Sequence, residues 1–163
     1  AADEGFLGRR LQDRSTVDRF WHLRMEGLNE YEETALLVAT LRRDWKEALP
    51  PEVLSDLCVR LARVGADSRA AAKKSSVAFE NASVAVSHRV LRRVRDILCS
   101  VLLGEAVKMP DPVRSAVRLA FSEALGAVER EAVETLFVTT LGNFIDEARK
   151  RVNRRDVEPP AFA

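Results

Sequence analysis

The chain has 163 residues, with 26 basic and 25 acidic side chains and a net charge of +1. That balance excludes a global electrostatic pull toward nucleic acid or a membrane surface. Apolar residues make up 47% and charged residues 31%, which suits one compact domain with a hydrated surface; seven Gly, six Pro and one Tyr beside abundant Ala, Leu, Val, Arg and Glu predict helix.

Residues 1–15 open without a clean period and are expected to form an arm. Ser15 or Thr16 is placed to cap a helix carrying Val17, Phe20, Trp21, Arg24 and Leu28. Asn29 with Glu32 resembles a capping box for the next helix. Leu37, Val38, Leu41 and Trp45 then share one face, and Pro50-Pro51 stops the run. Pro51 also suits the first turn of a following helix with Leu54, Leu57, Cys58, Leu61 and Val64, for which Gly65 is the expected stop.

Asp67 or Ser68 is expected to cap a further element across residues 69–86, a stretch rich in Ala and Ser that fits two short helices or one interrupted helix. Ser87 opens a strongly periodic helix with Val90, Leu91, Val94, Ile97, Leu98, Val101 and Leu102, ended by Gly104. Asp111 and Pro112 start another, with Val113, Ala116, Val117, Ala120, Phe121 and Ala124 inside and Gly126 as its stop. The last helix is expected to run unbroken through Val133, Phe137, Leu141, Phe144, Ile145, Ala148 and Val152. The whole predicts an all-α fold: about seven helices in antiparallel hairpins, as a short helical-repeat array or an irregular bundle over residues 16–153, with 154–163 as a tail.

Three stretches share a layout: RMEGLNEYEETALLVATL, LARVGADSRAAAKKSSVAF and SEALGAVEREAVETLFVTTL. Each places a Gly at an expected corner (Gly27, Gly65, Gly126) and an Ala soon after (Ala35, Ala71, Ala132). On these residues the chain resembles the pentatricopeptide family of helical-hairpin repeats, over about half its length. The resemblance implies an organellar setting and single-stranded RNA read about one base per repeat. The positions matching that family's base-reading residue are Asp56 and Ala116. Alanine cannot hydrogen-bond a base edge, which directs the expectation to the members that serve as protein scaffolds, such as accessory subunits of a mitochondrial ATP synthase or ribosome.

Residues 51–110 carry 10 basic and 6 acidic groups, the one electropositive third of the chain. Arg89, Arg92, Arg93 and Arg95 form its densest cluster. Read as function, that cluster contacts an acidic partner subunit or RNA phosphates; read as structure, it is a solvated helix face partly neutralised by Asp96. No aromatic side chain is interleaved to stack on bases. Trp21 and Trp45 fit a core by default, but an exposed Trp, or Phe162 in the tail, would serve as an interface anchor. His22 and His88 lack companions at metal-ligand spacing, and the acidic pairs Glu32/Glu33 and Glu129/Glu131 fit first turns opposing a helix dipole. Cys58 and Cys99 fall on apolar faces and are expected as buried free thiols in a reducing, intracellular compartment, the mitochondrial matrix in the setting the resemblance implies. No apolar run approaches the ~20 residues of a membrane span. The expectation is a non-catalytic interaction subunit without cofactor or metal, with RNA binding through Arg89–Arg95 as the alternative.

Overall fold

The computed structural model describes residues 27–74, 86–105, 109–121 and 125–157. The expected N-terminal arm, the helix with Trp21, most of 75–86 and the tail with Phe162 lie outside the described residues. Among those described the fold is all-α, with seven helices and no strand: α1 (Glu30–Ala39), α2 (Arg43–Ala48), α3 (Pro51–Lys74), α4 (His88–Leu102), α5 (Pro112–Ala120), α6 (Ala127–Leu141) and α7 (Phe144–Val157). α3 lies at the centre and touches α1, α4, α6 and α7.

The helix starts follow from capping chemistry. Asn29 Oδ1 accepts from Glu32 N at 2.8 Å and Glu32 Oε2 accepts from Asn29 N at 2.9 Å, so two of the donors that a helix N-terminus leaves open are satisfied reciprocally. Ser87 caps α4, and Asp111 caps α5 by accepting from Arg114 N at 3.1 Å, with Pro112 as the first helical residue. Pro51 opens α3, where its missing N–H leaves nothing unpaired. Gly104 has φ of 75°, a conformation that costs glycine little, and closes α4 as expected.

Four expected boundaries are corrected. The run from Leu37 to Leu49 is two helices, because α1 stops at Ala39; even so Leu37, Leu41, Trp45 and Leu49 are all buried, four residues apart. α3 passes through Gly65 without a corner, and Asp67 and Ser68 cap nothing. A Cβ on Gly65 would sit 2.9 Å from Leu91 Cδ1 and 3.4 Å from Glu33 Oε2, so this glycine lets α1 and α4 approach α3 closely. Its helix-propensity cost of about 1 kcal/mol is smaller than the ~2 kcal/mol that one fully buried leucine contributes. α5 ends at Ala120, ahead of Gly126, which is the N-cap of α6. The last helix breaks at Gly142, whose φ is 53°, into α6 and α7.

One core joins Leu37, Trp45, Leu57, Leu61, Leu91, Leu98, Val117, Phe137, Leu141 and Phe144. Within it Arg95 is only 1% exposed. Its guanidinium donates to Leu37 O, to Thr40 Oγ1 at 2.8 Å and to Thr40 O at 3.2 Å, and pairs with Asp96 at 2.6 Å. Those carbonyls belong to the C-terminal end of α1, beyond the backbone N–H ladder, and Leu37 O also accepts from Thr40 Oγ1 at 3.3 Å. Replacing Arg95 with Met would strand them and Asp96; urea unfolding of Arg95→Met should show a loss of about 2–4 kcal/mol. Arg92→Met, on the exposed face of the same helix, should stay within about 0.5 kcal/mol.

Candidate interaction surface

The predicted basic cluster does not form one surface. Arg89 and Arg92 are exposed. Arg93 is partly buried and donates to Ala120 O, the last carbonyl of α5, at 3.2 Å. Arg95 is the buried cation just described, so its expected role as a contact residue is corrected: the i+1 to i+3 spacing that gathers these arginines in sequence turns Arg95 onto the core side of α4. Trp45 is likewise corrected as an interface anchor. It is 2% exposed, with the Arg42 guanidinium 4.8 Å from its ring centroid and its buried Nε1 without a hydrogen-bond partner.

Two buried carboxylates tie helices together. Glu33, 1% exposed, accepts from His88 Nδ1 at 2.6 Å and from Arg69 Nη1 at 2.8 Å, joining α1, α3 and α4 beside Gly65. This gives His88 a carboxylate partner and Glu33 more than a dipole role. Glu134, also 1% exposed, accepts from Arg118 Nε at 2.6 Å and Arg114 Nη1 at 3.0 Å, clamping α6 to α5. Sequence reasoning passed over Glu134. Its signal was a carboxylate next to Val133 and three residues before Phe137, inside the apolar period.

The outward faces differ between helices. α7 presents Asp146, Glu147, Arg149, Lys150 and Arg151, and α4 presents Arg89 and Arg92, as hydrated faces normally do. α1 turns Glu33 and Leu37 inward; its opposite side carries Tyr31, Ala35, Val38 and Ala39 at helical spacing, with Tyr31 83% exposed. α6 exposes Val128, Ala132, Thr135 and Thr139, a second uncharged stripe, with Val128 68% exposed.

A cavity of about 290 Å³ lies where the starts of α5 and α7 meet, lined by Met109, Asp111, Val113, Asn143, Asp146 and Arg149. Asp111 there is already engaged as the α5 cap and pairs with Arg114 at 3.3 Å. Among the described residues no three His, Cys, Asp or Glu side chains are arranged to hold a metal ion. Cys58 and Cys99 are buried free thiols, pushed up by that burial to about 11 and about 12 respectively. No described helix is long and apolar enough to cross a membrane. Comparison with known proteins finds no match among family models, curated proteins or solved structures.

The Arg118 hydrogen bond, followed by that of Arg114, outweighs burial and holds the Glu134 carboxyl below its ordinary range. The charged form is therefore favoured by folding. Its stabilisation is present above the ordinary carboxylate range and is lost as pH falls through the lowered folded value. Glu134→Gln should lose about 2 kcal/mol at pH 7, and the difference from the unsubstituted protein should shrink as pH falls through the acid range, read by thermal melts along that range.

Proposed function

We propose that this chain is a non-catalytic interaction subunit of a larger assembly, and that it docks an apolar helix of an unlike protein partner on the outward face of α6. One observation carries this: Val128, Ala132, Thr135 and Thr139 make an exposed stripe without a charge, whereas the exposed side of α7 carries Asp146, Glu147, Arg149, Lys150 and Arg151. The i, i+4, i+7, i+11 spacing follows the ridge along which helices pack, and Ala132 near its middle permits close approach. The pentatricopeptide-like resemblance adds a mitochondrial assembly as the setting. The helix faces support an interaction role independently of that setting.

RNA binding, the alternative, would have to use Arg89 and Arg92 alone on α4, since Arg93 and Arg95 are occupied by helix carbonyls. Two exposed cations without interleaved aromatic rings offer little grip on a single strand. The two functions separate by substitution. With tagged chain expressed in its native cell, Ala132→Arg should abolish stoichiometric co-purification of its partner while leaving the melting temperature within about 2 °C. The pair Arg89→Glu and Arg92→Glu should leave it intact. RNA that co-purifies, and is lost in the arginine pair and not in Ala132→Arg, would reverse the assignment.

A further inference from the structure

Among the described residues seven large apolar side chains are exposed, and four of them, Leu28, Tyr31, Leu36 and Val38, crowd into residues 28–38. Tyr31, Leu36 and Val38 stand on the side of α1 opposite the inward-facing Glu33 and Leu37, with Ala35 and Ala39 among them and Leu28 at the helix start. Exposed apolar residues scattered singly need no explanation, but these gather on one helix. Glu32 shares that side, and its carboxylate is already engaged by Asn29 N.

The stretch that leads into α1 carries a matching pattern. Val17, Phe20, Trp21, Arg24 and Leu28 fall within one stripe of a helix begun at Ser15 or Thr16. A helix this short is stable in water only when its apolar stripe is covered. Residues 27–29 are all that separate it from α1, and Asn29 is extended as the N-cap. Connections of that length lay consecutive helices side by side and antiparallel.

We propose that the occupant of the outward side of α1 is the chain's own segment 16–26, folded back on it as an antiparallel helix. A turn centred on Leu28 pairs residues at equal distance from it. Trp21 and Ala35 each stand seven residues from Leu28, about 10 Å along a helix, so the bulkiest side chain of the segment meets a single methyl group. Val17 and Ala39, each eleven residues from Leu28, repeat the fit, and Phe20 meets the exposed Leu36. Large side chains set against small ones let facing helices interdigitate. The pairing needs no charge contact, so Glu30 keeps Arg63 and Glu32 keeps Asn29. Tethered through three residues, the segment acts at an effective concentration on the order of millimolar, which favours it over a second copy or a free partner. The α6 stripe stays open to the unlike partner proposed above, and neither assignment depends on the other.

Nuclear magnetic resonance on the purified full chain tests this. The expected result is nuclear Overhauser contacts from the Trp21 indole to the Ala35 methyl within one molecule. The amides of residues 17–26 should also exchange at least about a hundredfold more slowly than in an open chain. Ala35→Arg should abolish both signals and Ala132→Arg should leave both, while slow exchange in α3 and α4 shows that each variant is folded. Open-chain exchange over 17–26, protection that survives Ala35→Arg, or Trp21 contacts to Val128 or Ala132 instead would each overturn the proposal. Contacts seen only between labelled and unlabelled chains in a mixture would overturn it in favour of a second copy. None of these failures touches the α6 docking, which is read separately by partner capture in Ala132→Arg.

Discussion

A helix that ends against its neighbours leaves carbonyl oxygens beyond its own backbone ladder, and among the described residues three arginines donate to such carbonyls. Arg95 from α4 holds Leu37 O and Thr40 O at the end of α1. Arg93, also from α4, holds Ala120 O at the end of α5. Arg60 from α3 donates to Leu141 O, the last carbonyl of α6, at 3.0 Å and lies 5.5 Å from the Phe144 ring centroid. Each guanidinium also meets the negative end of a helix dipole. The short helices α1 and α5 therefore end where a neighbouring arginine can reach, and their positions depend on α3 and α4.

The same economy governs the acidic side. Glu33 and Glu134 are buried carboxylates, and both are paired with cations from adjacent helices. Removing one partner from such a pair costs far more than the pair itself contributes, so these contacts fix the arrangement more than they add to its stability. With Arg93 and Arg95 committed to the interior, little of the basic cluster is left at the surface. The surface also offers uncharged stripes on α1 and α6, beside the charged outward sides of α4 and α7 elsewhere on the fold.

Much of this was legible in the sequence because local chemistry wrote it. Asn29 with Glu32, Ser87, Asp111 with Pro112, and Pro51 each start a helix by satisfying or omitting the first N–H groups, a requirement that holds whatever the tertiary context. The apolar period likewise marked Leu37, Leu41, Trp45 and Leu49 as one buried line, although the backbone between Ala39 and Arg43 is not helical. Several of the misreadings came from glycine and arginine, whose surroundings local sequence does not specify. Gly65 is a close-approach site only because Leu91 and Glu33 arrive beside it. Gly142 breaks a run whose apolar spacing continues unchanged from Leu141 to Phe144 and Ile145. Arg95 differs from Arg92 only in the angle it takes on α4, and nothing local says that a carbonyl end awaits it.

The most direct test of this account is the rate at which the Arg95 Nε proton exchanges with water, followed by nuclear magnetic resonance on arginine-labelled protein. Held between Asp96 and the end of α1, that proton should exchange at least about tenfold more slowly than those of Arg89 and Arg92 at the same pH. Equal rates for all three would place Arg95 in solvent with its neighbours, restore the basic face of α4, and contradict the view that the arginines of this fold are held by its helix ends.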